Sequence, residues 1–248
     1  EVLQSMQVDA RDAGVHWHHG LAYRGRKGAE VVTSEGRLSP GYVVNTAGLY
    51  ADVIARDFGF SQRYRILPFK GLYLYADAQE EPLACHIYPV PDLANPFLGV
   101  HFTQSVDGRT KLGPTATPAF WREQYEGFEN FSWGEVLDIL GRQAGLFFYS
   151  EFDFKRLALR ELKKLHRGHL LSLSRALLRD LDPARYRTWG KPGIRAQLLD
   201  TRARRLVMDF VFEGDERSFH VLNAVSPGFT SSLPFAEHVC DSIAESLT

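Results

Sequence analysis

Hydrophobic positions along the chain follow two periods, and this pattern predicts a protein that mixes helices and strands. Short alternating or compact apolar runs predict strands, whereas apolar residues at helical spacing predict helices. The predicted strands cover 15–18, 22–24, 30–33, 42–45, 71–75, 86–90, 97–103, 110–114, 194–199, 206–212 and 219–222. The predicted helices cover 1–13, whose apolar side chains could face a core, 50–58, 132–141, 155–181 with a break near Gly168, and 228–247. Asp107-Gly108 predicts a hairpin between the strands at 97–103 and 110–114. Ser132 is the predicted N-cap of its helix, with Glu135 in the capping-box position.

Two places in this pattern predict contact with a ligand. The strand at 42–45 is followed by Thr46-Ala47-Gly48 and then a helix, and such small residues let a phosphate or a ring approach the backbone. The segment Ser226–Ser232 (SPGFTSS) begins the last helix, where free N–H groups and the positive end of the helix dipole suit an anion. The alternative for this second segment is an ordinary helix N-cap.

Composition narrows the class of protein. The 248 residues are 44% hydrophobic and 24% charged, which is ordinary for a soluble globular chain and excludes general disorder. No apolar run approaches the length of a membrane span. Two cysteines, Cys85 and Cys240, are too few for a disulfide framework or a four-cysteine zinc site, so we expect a reducing compartment, the cytoplasm.

Charge is distributed unevenly although the formal net charge is −1. Residues 155–205 contain 15 Lys and Arg against 4 Asp and Glu. Such a segment is compatible with nucleic acid, an anionic membrane, an acidic substrate or a solvated helical face. Few aromatic residues accompany the charges beyond Tyr186 and Trp189, and no RNA-binding signature is present, so we expect no nucleic-acid partner.

Several motifs are absent from the sequence. No two of the 21 glycines are separated by a single residue, which excludes the dinucleotide fingerprint G-x-G-x-x-G. The phosphate loop and the nucleophile elbow G-x-S-x-G are also missing. The histidines of HWHH (16–19) and the pair His166 and His169 have no acidic residue or cysteine at a ligand spacing, so we expect no metal site.

His101 is the most informative single residue. It lies in the apolar run Leu98–Thr103, where burial and neighbouring groups would bring its pKa near neutrality and suit it to proton transfer. The alternative is a core histidine held by a backbone hydrogen bond.

Seven stretches together resemble the L-2-hydroxyglutarate dehydrogenase/oxidase family of FAD enzymes, within the D-amino-acid-oxidase-like flavoproteins. The series IYPVP, FLGVHFT and LGP is specific to the hydroxyglutarate branch, whereas VVNTAG and PGFTSS mark the wider group. The stretches are VVNTAGLYAD (43–52), PFKGLYLY (68–75), IYPVPDLANPFLGVHFT (87–103), KLGPTATPAFWREQY (111–125), GIRAQLLD (193–200), DFVFE (209–213) and HVLNAVSPGFTSSLPFAEHV (220–239).

The resemblance implies an α+β fold of the D-amino-acid-oxidase type, truncated because the glycine-rich segment that opens the family's sequences has no counterpart here. Residues 1–64 and 193–248 would form the remainder of an α/β FAD-binding domain. Residues 65–192 would form a substrate-binding domain with an antiparallel sheet and flanking helices, and strands near 193–213 could be shared.

The resemblance also implies an activity, the oxidation of L-2-hydroxyglutarate to 2-oxoglutarate with FAD as cofactor. His101 would be the base, and Arg195 and Lys70 would bind the two carboxylates of the substrate. Residues expected to contact FAD are Thr46, Ala47, Gly48, Gly228, Phe229, Thr230 and Ser231.

Two other functions remain open at this point. One is a non-catalytic truncated domain or one half of a split flavoprotein. The other is a protein whose basic segment contacts the inner face of a membrane peripherally, near the electron-transport chain. The sequence leaves the oligomeric state open.

Overall fold

The computed structural model describes residues 1–77, 83–91, 95, 97, 99–150, 154–226 and 228–247. The chain forms two compact units, Glu1–Val43 and Val44–Thr248. Helices and antiparallel sheets occur together, which confirms the predicted α+β class. None of the helices among the described residues has the length and the apolar character needed to cross a bilayer.

The first unit contains one helix and one small sheet. Helix α1 (Val2–Asp12) is followed by an antiparallel meander of β1 (Tyr23–Lys27), β2 (Glu30–Thr33) and β3 (Gly36–Leu38). The predicted strand at 15–18 is absent, because the chain there continues without strand pairing. None of the residues of α1 is buried, so the predicted contact of its apolar side chains with a core is not found.

The second unit contains three sheets and most of the helices. Its strands are β4 (Val43–Asn45), β5 (Tyr64–Gly71), β6 (Leu74–Ala76), β7 (His101–Gln104), β8 (Thr110–Gly113), β9 (Thr117–Pro118), β10 (Tyr186–Trp189), β11 (Gly193–Asp200), β12 (Arg205–Leu206), β13 (Val211–Gly214) and β14 (Ser218–Asn223). Its helices are α2 (Ala51–Asp57), α3 (Trp133–Tyr149), α4 (Phe154–Lys163), α5 (Arg167–Ser174) and α6 (Ser232–Ser246), with short 3-10 turns at Gly48–Tyr50 and Pro183–Arg185.

One four-stranded sheet, in the order β12-β11-β5-β9, joins segments that are distant in sequence. Strands β5 and β11 are antiparallel over their whole length, from Gly71 opposite Gly193 to Tyr64 opposite Asp200. Helices α3 and α4 cover this sheet with an apolar cluster that includes Leu67, Phe97, Ile139, Leu146 and Leu157. The sheet thereby pairs β5, at the start of the predicted substrate domain 65–192, with β11, which follows its end. The boundaries of this domain stay a prediction.

A second four-stranded sheet has the order β10-β6-β8-β7 and packs with α5 around Leu74, Phe102, Leu112, Leu170 and Tyr186. The predicted hairpin across Asp107-Gly108 is confirmed, because β7 and β8 pair on either side of that turn. The third sheet, β13-β14-β4, packs against α2.

Three helical predictions need correction at their boundaries. The helix predicted over 132–141 extends further, because α3 covers Trp133–Tyr149. The stretch 155–181 forms two helices, α4 and α5, and the interruption at 164–166 precedes Gly168. Helix α6 begins at Ser232, because residues 228–231 form a turn before it. Ser132 caps α3 as predicted, since its hydroxyl accepts a hydrogen bond from the Glu135 N–H.

Candidate functional site

A cavity of about 250 Å³ opens where β5 ends and β11 begins, beside the loop that follows β8. Its wall is mainly apolar and aromatic, which is usual for a site that orients a small ligand through a few polar groups. The lining residues are Phe69, Gly71, Tyr73, Phe97, Pro114, Thr115, Ala116, Gly193, Ile194 and Arg195.

Arg195 supplies the positive charge of this cavity. Its guanidinium carbon lies 5.9 Å from the centre of the Phe97 ring, and burial lowers the pKa of the guanidinium. Among the described residues no carboxylate forms an ion pair with it. A guanidinium remains charged even when partly buried, and its two parallel N–H groups match a carboxylate. The structure therefore places Arg195 where a carboxylate ligand could bind it.

Lys70 lies on the strand next to Arg195 but outside this cavity. Side chains alternate along a strand, and the neighbours Phe69 and Gly71 are the ones that face the cavity. Burial lowers the pKa of the Lys70 ammonium. The structure does not bring Lys70 and Arg195 to the same cavity, and the role of Lys70 toward a carboxylate stays a prediction.

His101 is buried and uses one of its two ring nitrogens within the protein. Nδ1 lies 2.9 Å from the carbonyl oxygen of Gly99, so Nδ1 carries the proton and donates to that oxygen. The ring of Tyr88 stacks on the imidazole with a centroid distance of 4.4 Å. Burial is the main reason that the pKa of His101 is lowered. The neutral imidazole then presents Nε2 as a proton acceptor.

Tyr73 connects the cavity to His101. It lines the cavity, and its ring centre lies 6.0 Å from that of His101 in an edge-to-face arrangement. Gly113, which pairs with His101 across the hairpin, permits this packing. A Cβ atom at Gly113 would lie 2.7 Å from the Leu72 carbonyl oxygen and 2.8 Å from the Tyr73 ring, closer than van der Waals contact allows.

The predicted cofactor segment 46–48 is an exposed loop that is hydrogen-bonded to the buried residue Asn45. Asn45 is buried at the end of β4; its Nδ2 donates to the Ala51 carbonyl at 2.9 Å and its Oδ1 accepts from the Ala47 N–H at 3.1 Å. The same Nδ2 lies 3.0 Å from Nδ1 of His220 on the neighbouring strand β14. Gly48 has φ of +54°, a left-handed conformation that favours glycine.

A buried ion pair fixes the helix that follows this loop. Arg122 contacts both carboxylate oxygens of Asp52, at 2.8 and 3.2 Å, and also donates to the Leu49 carbonyl. Asp52 additionally accepts from Arg56 and from the Ile66 N–H, each at 3.2 Å. This network joins the loop, helix α2 and strand β5.

The second predicted cofactor segment, Gly228, Phe229, Thr230 and Ser231, forms the turn between β14 and α6. Gly228 is half-buried, and a Cβ atom there would lie 3.2 Å from the Val225 carbonyl oxygen. Phe229 and Thr230 are exposed. The turn lies at the N-terminus of a helix of 15 residues, where free N–H groups favour electronegative atoms.

Both segments have the character needed to contact FAD. Each follows one of two neighbouring strands, β4 and β14, and each exposes small residues and backbone groups. The loop 46–48 is also held in one conformation by Asn45, which leaves its outer side accessible. These residues fit a flavin that lies against them, while the role of each one stays a prediction.

The sequence interpretation missed the residues that support these segments. The missed residues are Asn45, Asp52, Tyr73, Arg122 and His220. Two of them carry a signal that was available in the sequence, because Asn45 ends the apolar run 42–45 and His220 lies beside the apolar run 221–222. A polar residue in such a position is usually buried with hydrogen-bond partners.

Two solved structures have a fold similar to that of this chain. The L-alpha-glycerophosphate oxidase from Mycoplasma pneumoniae, solved with FAD bound, matches 97% of this chain and 53% of its own chain, with a TM-score of 0.58 and 16% identity. The L-amino acid deaminase from Proteus vulgaris matches 96% of this chain and 57% of its own, with a TM-score of 0.54 and 14% identity. At these identities the likeness concerns the fold alone.

Relatives by sequence are called L-2-hydroxyglutarate dehydrogenase. The mitochondrial protein of Bos taurus is 35% identical over 98% of this chain and 53% of its own length, and the Escherichia coli K12 protein is 32% identical over 98% and 54%. The chain therefore spans about half the length of these relatives. The family model described as "FAD dependent oxidoreductase" (DAO) matches residues 1–242, and the chain belongs to this DAO family of FAD-dependent oxidoreductases.

Proposed function

We propose that this chain carries the substrate site of an FAD-dependent oxidoreductase that converts L-2-hydroxyglutarate to 2-oxoglutarate. The observation that carries the proposal is Arg195, a guanidinium without a carboxylate partner in the described part of the chain, in an apolar cavity of about 250 Å³. Arg195 is half-buried, and a cation partly removed from water without a counter-ion favours an anionic ligand. The choice of L-2-hydroxyglutarate as the hydroxy acid is supported by the names of the two relatives reported above.

Arg195 and His101 have different tasks in this proposal. Arg195 binds one carboxylate of the substrate through two N–H groups and thereby orients the carbon that carries the hydroxyl. His101 accepts the hydroxyl proton at Nε2, because its Nδ1 proton is already committed to the Gly99 carbonyl. Tyr73 lines the cavity of Arg195, and its ring centre lies 6.0 Å from that of His101. It forms part of the apolar wall that excludes water.

FAD, when bound, supplies a hydride acceptor, and the chain's own residues would hold it at two places. Thr46, Ala47 and Gly48 would contact it from the loop after β4. Residues 228–231 would present the N–H groups at the start of α6 to an electron-rich edge of the ring system.

Lys70 is the candidate for the second carboxylate of the substrate. Its pKa is lowered by burial, which shows that the ammonium is partly removed from water. It faces away from Phe69 and Gly71, so it would reach the substrate only from the other side of β5. Lys70→Gln tests this role, because a weaker binding of glutarate without a change for monocarboxylates would support it.

The test of the proposed function uses the purified chain of 248 residues. Flavin absorbance bands, their loss on anaerobic addition of L-2-hydroxyglutarate and the appearance of 2-oxoglutarate would support it. Arg195→Lys should raise KM for the dicarboxylate, since the bidentate geometry is lost. Arg205→Lys is the matched control, because Arg205 is exposed on β12 of the same sheet.

The alternative, a non-catalytic domain or one half of a split flavoprotein, gives a different result. The preparation would be colourless, and added FAD would not restore the absorbance bands. The observation that favours this alternative is that the chain spans about half the length of these two relatives. Calorimetric titration of glutarate into the apoprotein would still test whether Arg195 binds a carboxylate.

We also propose that the protein makes peripheral contact with an anionic membrane surface. At the end of α3, Phe148 and Tyr149 are each 66% exposed, and the Lys155 ammonium lies 5.2 Å from the ring centre of Phe147 and 5.7 Å from that of Phe148. Aromatic rings next to a basic side chain suit the interface of a bilayer. Sedimentation with anionic vesicles that weakens with salt and with Phe148→Ser would support the contact, and absence of binding at low salt would exclude it.

A further inference from the structure

A second cavity, of about 410 Å³, shares the lining residue Phe97 with the cavity of Arg195. Its wall is formed by residues next to the strand that carries His101 and by α4, α5 and the turn after α5. Unlike the first cavity it is strongly charged. The charged or titratable residues that line it are Arg160, Glu161, Lys163, Lys164 and His169.

Positive charge predominates in this second cavity. Lys164 is paired with Glu161, with 2.6 Å between Nζ and Oε1. The exposed Arg160 and Lys163, in contrast, form no ion pair among the described residues. Two cations are therefore left for an anion that enters from solvent.

The second cavity is lined by residues that contact both residues of the proposed substrate site. Phe97 lines both cavities, and its ring lies 5.9 Å from the guanidinium carbon of Arg195. Gly99 also lines the second cavity, and its carbonyl oxygen holds the Nδ1 proton of His101. Phe97 is thus a wall residue of both the cationic cavity and the cavity of Arg195.

We propose that the second cavity is a binding vestibule through which the dicarboxylate substrate enters, with Arg160 and Lys163 as its anion-binding groups. The inference rests on the proposed function, because it takes the dicarboxylate as the ligand of Arg195. Clefts lined by one sign of charge concentrate oppositely charged ligands and raise their association rate by about 10- to 1,000-fold. Phe97 forms the partition that the substrate passes on the way from Arg160 and Lys163 to Arg195.

The first experiment reverses the charge of the vestibule. In Arg160→Glu/Lys163→Glu, kcat/KM for L-2-hydroxyglutarate should fall about tenfold or more at low ionic strength, through KM rather than kcat, and the difference should shrink as salt is added. The matched control is Arg179→Glu/Arg205→Glu, which changes the net charge equally at two exposed residues that line neither cavity. An equal loss in both double variants would overturn the proposal, because the effect would then be one of net charge alone.

The second experiment separates the vestibule from the proposed oxidation. Glutarate, a dicarboxylate without the reacting hydroxyl, is titrated calorimetrically into the parent protein, Arg195→Gln, Arg160→Glu/Lys163→Glu and the variant that combines all three substitutions. We expect residual weak binding in Arg195→Gln that disappears when the vestibule charges are also reversed. If Arg195→Gln alone abolishes all binding, the vestibule is wrong while the proposed function stands. If no variant oxidises L-2-hydroxyglutarate but vestibule reversal still weakens glutarate binding, the proposed oxidation is wrong and the anion site stands.

Discussion

Two arginines of the second unit, the buried Arg122 and the half-buried Arg195, differ in whether a described carboxylate pairs with them. Below the loop 46–48, Arg122 contacts both oxygens of Asp52 as well as the Leu49 carbonyl, so its donors are used within the protein. In the cavity beside β11, Arg195 has no carboxylate partner within the described part of the chain and faces an aromatic ring. The first arginine connects elements of the fold, and the second is left for a ligand.

The two buried histidines show the same contrast. His220 is fully buried, with Nδ1 3.0 Å from Asn45 and Nε2 3.0 Å from the Ser218 hydroxyl. His101 is also buried, but only its Nδ1 has a hydrogen-bond partner among the described residues, the Gly99 carbonyl. The number of internal partners of a buried polar group therefore distinguishes structural residues from candidate functional ones in this molecule, and the predictions below test that distinction.

The largest expected effect is on stability, at the paired arginine. Asp52→Asn leaves Arg122 buried without its counter-charge, which costs about 3–5 kcal/mol of unfolding free energy for a pair of this kind. The measurement is urea unfolding followed by circular dichroism. Asp107→Asn is the control, because the Asp107–Arg109 pair is exposed and its loss should be clearly smaller. Equal losses in the two variants would contradict the contrast.

The next effect is on turnover, at the histidine with an unused nitrogen. His101→Gln removes the proposed base and should lower kcat by about 100-fold or more. His220→Gln should instead lower the unfolding free energy, by about 1–3 kcal/mol, because Asn45 and Ser218 lose a buried partner. If both variants lost stability and neither lost turnover selectively, the assignment of His101 as the base would be wrong.

Local patterns in the sequence predicted the parts of the fold that depend on neighbouring residues. The strand, loop and helix over 42–58 and the hairpin around Asp107-Gly108 were confirmed, because small residues and turn chemistry determine them locally. The cap of α3 by Ser132 was predicted for the same reason. The Glu135 side chain nevertheless does not complete a capping box with Ser132 in the described contacts, since its Oε2 accepts from the Arg122 N–H at 2.8 Å.

What the sequence left open depends on long-range contacts. Asp52 and Arg122 are 70 residues apart, and each resembles an ordinary surface charge until the fold pairs them. The pairing of β5 with β11 likewise joins the start of the predicted substrate domain, 65–192, to a strand that follows its end, and it places Lys70 on a different face from Arg195. Strand periodicity indicates which residues share a face within one strand, but the register between distant strands comes from the packed structure.

A smaller effect is expected at the unpaired arginine. Arg195→Gln removes the cation that would bind a substrate carboxylate, and the dissociation constant for glutarate should rise about 10- to 100-fold. The unfolding free energy should change little, because no described carboxylate loses its partner. Calorimetry measures the binding and urea unfolding measures the stability, with Arg205→Gln as the matched exposed control. A loss of stability comparable to that of Asp52→Asn would place Arg195 among the structural residues.

The smallest effect concerns pH. Burial lowers the pKa of His101, and the nearby Lys111 and His86 act in the same direction, against the Gly99 carbonyl. The base is the neutral imidazole, so the acid limb of kcat/KM should lie below the ordinary histidine pKa of about 6.5. Because the pKa of His101 is lower in the folded protein than in the unfolded chain, its contribution to stability is complete above the unfolded pKa of about 6.5. This contribution is lost as the pH falls through the lowered pKa, since the unfolded chain binds more protons there. Lys111→Met should move the limb to higher pH, whereas Lys191→Met, at an exposed lysine, should leave it in place. A limb that stays unmoved in Lys111→Met would mean that the titrating group is not His101.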